Sequence, residues 1–198
     1  MQNVLNNKKG VSLIEIVATI TITSIALLMI YNVLSFNIRQ NWINQERSIN
    51  ANIANGALSY VINKDFTEID NYLEENTQKY AKIDVNNCNT LFSDDSSTCQ
   101  IVLSPTIINR TYDSDNLFIY IMPFNDVTAL DSILNDPPPP DVFLNYLQNL
   151  KDKTPFYLPS DAHINNNALR VIVIVKSKIN SQYDFLLSGV ITNDAITQ

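Results

Sequence analysis

The feature that most constrains this chain is a stretch of 21 residues without a charged side chain, from Ile16 to Phe36. A helix rises about 1.5 Å per residue, so this stretch would span about 30 Å, the thickness of a bilayer's hydrocarbon core. Lys8 and Lys9 precede it, and basic residues favour the cytoplasmic side of a membrane. The sequence therefore predicts a single-pass membrane protein with Met1 in the cytoplasm and the remainder outside.

A secretory signal peptide would also combine lysines with an apolar run, and Ser24-Ile25-Ala26 could serve as its cleavage site. The apolar run continues past that site through Val33 and Leu34. A removed signal normally ends its apolar stretch before the cut. The sequence therefore favours a retained membrane segment.

One ionisable residue interrupts the N-terminal edge of this segment. In the run Lys8-Lys9-Gly10-Val11-Ser12-Leu13-Ile14-Glu15, a carboxylate lies among apolar residues, which is costly in a membrane and indicates a function. The run resembles the processing site of type IV prepilins, the precursors of type IV pilins and of the pseudopilins of type II secretion and competence systems. The resemblance implies cleavage after Gly10, N-methylation of Val11 and a role for Glu15 in assembly. Phenylalanine is the usual residue of this family where the chain has Val11.

The spacing has a physical reason. Cleavage after Gly10 would create an ammonium group on Val11, about one helical turn from Glu15, and a neighbouring subunit could pair its own amine with this carboxylate. At about 4 Å and an effective dielectric constant of about 20, the pair is worth about 4 kcal/mol before desolvation. An uncleaved signal anchor with an interfacial glutamate is the alternative interpretation. The order of basic residues, glycine, apolar residues and glutamate favours the prepilin interpretation.

The resemblance also implies partners. These are the prepilin peptidase and N-methyltransferase, other pilin or pseudopilin subunits, and the assembly platform of the inner membrane. With this size and a long insertion, the chain resembles a minor pilin or pseudopilin, a structural subunit and not an enzyme. A permanently anchored extracytoplasmic binding module for a ligand, DNA or a surface is the alternative function. A motility pilus, a secretion pseudopilus and a competence system remain equally open.

Beyond Phe36, apolar residues recur at helical spacing, and we predict one helix from Val11 to Asn63. Its apolar stripe would pack on a sheet, with Trp42 and Ile49 in the core and Glu46 and Asn50 on other faces. The stripe comprises Ile38, Trp42, Ile49, Ile53, Ala57, Leu58 and Val61.

The predicted fold is α+β and type IV pilin-like, with the long helix packed on a mainly antiparallel sheet that carries a helical insertion. The expected parts are a leader (1–10), a transmembrane half-helix (11–36), an amphipathic half-helix (37–63) and an exported globular αβ domain (64–198). Strands are predicted at 79–85, 98–104, 117–122, 169–175 and 185–191, with a hairpin connection at 178–182. Asp126 is expected to cap an insertion helix that ends at Leu134, and Asp141 a second one that ends at Leu150, with prolines 137–140 between them.

Composition excludes several functions. A net charge of -7 is the wrong sign for direct nucleic-acid binding, and one histidine, His163, leaves little for catalysis or a zinc site. No cofactor and no metal are expected. The run Asp113-Ser114-Asp115-Asn116 lacks the glycine and glutamate of an EF-hand, so an acidic turn is a better interpretation than a calcium site.

Cys88 and Cys99 are the two cysteines of the chain, and both fall in the predicted exported domain. An even number of cysteines on the oxidising side of a membrane favours a disulfide between them.

Overall fold

The computed structural model describes residues 12–75, 79–92, 96–124, 126–135, 141–153, 167–177 and 184–193. The chain divides into two compact units. We call Met1–Asn44 the stem unit and Gln45–Gln198 the head unit.

Helix α1 (Leu13–Ile62) provides the described part of the stem unit and continues into the head unit. It confirms the predicted long helix. Its 50 residues contain no proline, and Gly56 is its one helix-weakening glycine. Within the head unit, its buried side chains begin at Glu46 and recur every three or four residues to Val61.

The head unit is built on a four-stranded antiparallel sheet in the order β1-β4-β5-β6. Its strands are β1 (Ala81–Ile83), β4 (Leu117–Pro123), β5 (Ala168–Val175) and β6 (Phe185–Thr192). A small hairpin, β2 (Thr106–Ile107) with β3 (Arg110–Thr111), forms a second sheet. The described helices of this unit, besides α1, are α2 (Phe66–Glu75), α3 (Cys88–Leu91), α4 (Ser96–Leu103), α5 (Val127–Leu134) and α6 (Asp141–Lys153).

Along the central strands β4 and β5, side chains point alternately to the two faces of the sheet, and both faces are buried there. On β4 and β5, odd-numbered residues such as Ile119 and Val173 join a core with α1 and α2, which we call the α1-side core. Even-numbered residues such as Tyr120 and Ile174 join a second core with α5 and α6. The insertion helices therefore cover the sheet face opposite α1, and the Phe143 ring stacks on Tyr120 at 5.0 Å between centroids.

The three long strands β4, β5 and β6 were predicted correctly. Asp126 was also predicted correctly as the N-cap of α5, because its Oδ1 accepts hydrogen bonds from the Thr128 and Ala129 amides. The predicted strand at 98–104 is wrong, because these residues belong to helix α4. A short apolar run does not separate strand from helix. Here Cys99 and Leu103 share a buried face at a spacing of four residues, whereas Ile101 is exposed.

Strand β1 is shorter than the predicted 79–85. Lys79 has a positive φ of 54°, and the Asp84 amide donates to the Asn87 side chain at 2.8 Å, so the chain turns at both ends. Helices α2 and α3 and the β2–β3 hairpin were not predicted. Residues 137–140 and the 178–182 connection lie outside the described residues.

Candidate assembly site

The N-terminal end of α1 is closed by a reciprocal pair of residues, Ser12 and Glu15. The Ser12 amide and hydroxyl donate to Glu15 Oε2 at 3.0 and 3.3 Å, and the Glu15 amide donates to Ser12 Oγ at 3.4 Å. This is a capping box, in which serine at the N-cap and glutamate three residues later satisfy each other's donors. The carboxylate also lies at the positive end of the helix dipole. Glu15 is therefore stabilised within its own chain.

This local partner of Glu15 was not predicted, although the Ser-x-x-Glu spacing is its signal in the sequence. The capping box lowers the cost of a carboxylate at an apolar helix end, because donors that would otherwise meet hydrocarbon are satisfied. Lys8, Lys9, Gly10 and Val11 lie outside the described residues.

Beyond Glu15, α1 is long and apolar enough to cross a membrane. Three hydroxyls in this stretch donate back to the carbonyl four residues earlier: Thr19 to Glu15, Thr21 to Val17 and Ser24 to Ile20, at 2.6 to 2.8 Å. Each polar group is thereby satisfied inside the helix, so these hydroxyls remain compatible with a hydrocarbon environment.

The prediction that Trp42 is a core residue is wrong, because its side chain is 58% exposed. The prediction that Glu46 and Asn50 lie on other faces is also wrong, since they are 3% and 0% exposed. The buried face of α1 begins with these two polar residues and continues through Ile53 and Ala57. An apolar pattern alone therefore misplaces the start of the contact surface.

Glu46 and Asn50 are buried because other segments supply their partners. Arg110 Nη1 lies 2.8 Å from Glu46 Oε2, and Ser177 Oγ donates to Glu46 Oε1 at 3.0 Å. The Tyr112 hydroxyl donates to Asn50 Oδ1 at 3.0 Å. These contacts attach the β2–β3 hairpin and the end of β5 to α1. Burial, reinforced by the negative charge of Glu46, raises the pKa of Tyr112, whereas Arg110 opposes that shift.

The structure joins Cys88 and Cys99 in a disulfide. Both sulfurs are buried in the α1-side core, where the Tyr60 hydroxyl lies 3.7 Å from Cys99 Sγ. The Tyr60 ring packs edge-on against Phe92, with 5.6 Å between centroids. The segment from α3 to α4 is thus closed covalently and packed against the end of α1.

The acidic run at 113–116 forms a turn. The Asn116 and Leu117 amides donate to the Asp113 carbonyl at 2.9 and 2.8 Å, and the Asp115 amide donates to Asp113 Oδ1 at 3.2 Å. Across the described ranges, no group of three or more His, Cys, Asp or Glu side chains is placed to hold a metal ion. His163 is outside those ranges.

A long apolar N-terminal helix packed, in its second part, on an antiparallel sheet with additional helices is the α+β layout of a type IV pilin-like protein. Residues 5–31 match the family described as the prokaryotic N-terminal methylation motif, which is the type IV prepilin signature. The matched range contains Gly10, Val11 and Glu15. No curated protein and no solved structure gives a significant match to this chain.

The signature and the apolar helix together support membrane anchoring followed by incorporation into a pilus. Proteins with this signature are generally structural and assemble with other pilins after processing by a prepilin peptidase. The head unit lies beyond the matched residues.

Proposed function

We propose that this chain is a minor pilin or pseudopilin, cleaved by a prepilin peptidase after Gly10 and assembled into, or priming, a type IV pilus-like filament. The observation that carries the proposal is the methylation signature over residues 5–31, with Glu15 held at the first turn of a helix able to span a bilayer. The capping box supports it further, because it allows a carboxylate to persist at an apolar helix end until a partner arrives.

In this proposal, residues 1–10 are the leader, with Lys8 and Lys9 holding it in the cytoplasm. Residues 11–36 form the transmembrane half of the helix, residues 37–63 the amphipathic half and residues 64–198 the exported domain. The peptidase, acting also as N-methyltransferase, would release and methylate the Val11 amine.

Assembly would then be driven by the pairing of one subunit's Glu15 with the Val11 amine of another. Each charge alone is unfavourable in an apolar surrounding, whereas the pair compensates both. The attraction fixes the axial register because it reaches full strength at one relative position of the two helices. The inner-membrane assembly platform and other pilin subunits are the expected partners.

A minor role is favoured by the insertion. Helices α5 and α6 bury side chains such as Leu130, Ile133, Phe143 and Leu147 on the second face of the sheet. They enlarge the head unit. A large head unit suits a minor subunit better than the major subunit that repeats along the filament shaft.

The experiment is N-terminal sequencing of the chain recovered from the filament fraction and from the membrane. We expect the filament form to begin at Val11 and to carry a methylated amine. Glu15→Gln should be cleaved normally and largely lost from filaments, because the neutral amide attracts the amine of a neighbour far less. Thr21→Val, which changes a satisfied hydroxyl and no charge, is the matched control and should assemble normally.

An intact leader on the surface-exposed chain would overturn the proposal and would favour an anchored binding module. Normal filament yield with Glu15→Gln would overturn the role assigned to that carboxylate.

A further inference from the structure

The β2–β3 hairpin ends in a turn whose residue type conflicts with its backbone. Its two central residues, Ile108 and Asn109, have φ values of 51° and 59°. Positive φ at both positions of a two-residue hairpin loop defines a type I′ turn, which strongly prefers Asn-Gly or Asp-Gly. A β-branched residue at positive φ is a genuine outlier, because its Cβ crowds the backbone. The geometry of the turn therefore does not explain why an isoleucine occupies position 108.

Packing in the core does not explain the Ile108 side chain either. Ile108 is 65% exposed, although neighbouring Ile107 packs partly against the α1-side core. Among the described residues of the head unit, the exposed large apolar side chains are few: Ile62, Ile101, Ile108 and Val190. Ile108 combines exposure with an unfavourable backbone conformation, and strained backbone of this kind is concentrated at functional sites.

The hairpin that carries Ile108 is held firmly. Its strands are joined by a Thr106–Thr111 hydroxyl contact of 2.9 Å, and the Tyr112 amide donates to the Pro105 carbonyl at 3.0 Å. Arg110 is paired with Glu46 and Tyr112 with Asn50, as described above. A tip fixed in this way loses little conformational freedom on binding, which favours affinity.

Apolar complementarity identifies the occupant. The stem unit exposes a continuous series of large apolar side chains from Leu13 to Trp42, and Ile16 to Phe36 contains no charge. Once such a helix leaves the bilayer, its apolar surface must be covered by protein to avoid water. An uncharged, rigid isoleucine tip can supply part of that cover without placing a charge against an apolar surface.

We propose that Ile108 is a docking knob that packs against the uncharged helix of a neighbouring filament subunit, of the kind formed here by Ile16 to Phe36. This proposal rests on the proposed function, since it requires assembly, and it names the head surface that assembly uses.

Two variants separate docking from folding. Ile108→Asn places in the turn a residue that tolerates positive φ. In the full-length chain in detergent, this variant should therefore have a thermal unfolding midpoint that is not lowered and that rises by up to about 4 °C. Its incorporation into filaments should fall by about tenfold or more, as expected when a buried apolar anchor is lost from an interface. Ile108→Val keeps both the apolar surface and the strain, and it should assemble normally. Ile101 is 73% exposed on α4, so Ile101→Asn makes the same chemical change at another exposed site and should have little effect.

A photo-crosslinking residue at position 108 of the otherwise unchanged chain gives a second readout. Crosslinks mapped by mass spectrometry to the uncharged helix segment of a neighbouring subunit would support the proposal. Crosslinks elsewhere, full incorporation of Ile108→Asn, or an equal defect in Ile101→Asn would overturn it. Absence of the wild-type chain from filaments would overturn the proposed function itself, so the two failures are distinguishable.

Discussion

At the scale of single residues, Glu46 carries the most consequential polar contacts of the head unit. It is buried, and its two carboxylate oxygens accept from Arg110 and Ser177, whereas the Arg110 side chain remains partly exposed. The two members of this ion pair therefore lie in different environments. Removal of either member should have different consequences, because a buried charge that loses its partner is far more costly than a charge that can reach water.

We predict that Arg110→Met destabilises the chain by about 3 kcal/mol or more, since the Glu46 carboxylate stays buried without the guanidinium and keeps the Ser177 hydroxyl as a hydrogen-bond donor. Glu46→Gln should cost about 1–2 kcal/mol, because the amide can still accept a hydrogen bond and Arg110 can turn to solvent. Urea unfolding of the full-length chain in detergent measures both. Equal losses, or a larger loss for Glu46→Gln, would contradict the asymmetry.

Asp70 is a residue that the fold tolerates at a cost. It lies on α2 one turn before Glu74, and burial together with the Glu74 charge raises its pKa above the ordinary 3.8. A carboxyl whose pKa is raised on folding stabilises the fold below 3.8, where it is protonated in both states, relative to neutral pH. That contribution is lost as the pH rises through the raised value.

Asp70→Asn should therefore stabilise the chain at pH 7, by about 0.2–0.5 kcal/mol, the size of an i,i+4 like-charge repulsion. Glu74→Gln should change stability in the same direction, because it removes the other member of the repulsion. Unfolding curves at pH 7 and below 3.8 check the sign. A gain that persisted unchanged at the acidic pH would show that charge is not its cause.

At the scale of elements, the sequence predicted what depends on local composition and spacing. Helix α1 was predicted from its long uncharged run and the helical spacing that follows it, and strands β4, β5 and β6 from compact runs rich in apolar and β-branched residues. Helix α4 was predicted as a strand because its four apolar residues, Cys99, Ile101, Val102 and Leu103, fit either period. The burial of Glu46 and Asn50 was not predictable, since their partners Arg110 and Tyr112 lie more than 60 residues away in sequence.

For the proposed assembly site, Gly10, Val11 and Glu15 were identified through a linear motif, and the roles assigned to them stay predictions. The same motif contains the capping box of Ser12 and Glu15, which was not predicted although its Ser-x-x-Glu spacing is present in the sequence. The tip at Ile108 had no sequence signal. Its interest lies in a positive φ that the residue type argues against.

The contact of α1 with the sheet depends on one glycine and is independent of another. A Cβ placed on Gly189 of β6 would lie 2.9 Å from Leu58 Cδ1, whereas a Cβ on Gly56 would meet nothing within 4 Å. Gly189→Val should destabilise the chain by about 1–3 kcal/mol through overpacking, and Gly56→Ala should stabilise it by about 0.5–1 kcal/mol through a stiffer helix. Thermal unfolding of the two variants measures these opposite signs. Loss of stability in Gly56→Ala would contradict the open space found around Gly56.

At the scale of the whole molecule, the two units meet different environments. The stem unit exposes apolar surface that suits lipid or neighbouring helices, and the head unit encloses two cores on the two faces of one sheet. The head unit also contains the Cys88–Cys99 disulfide. Disulfides form and persist in oxidising compartments, so this pair reports on which side of the membrane the head unit folds.

We predict that the chain isolated from membranes without reductant is lighter by two hydrogen atoms than after reduction, as one intramolecular disulfide requires. The positive-inside rule predicts that Lys8 and Lys9 lie in the cytoplasm and, for a chain that crosses the membrane once, that the head unit lies outside, where oxidation occurs. Intact mass spectrometry after alkylation measures this, and Cys88→Ser, which leaves one alkylated thiol, is the control for labelling. In the double variant Cys88→Ser with Cys99→Ser, the free energy of unfolding should fall by about 3 kcal/mol, because the crosslink closes a short loop in the unfolded chain. Two alkylated thiols in the wild-type chain would contradict both the disulfide and the predicted orientation. Two adjacent cysteines on the oxidising side of the membrane are expected to be oxidised to a disulfide.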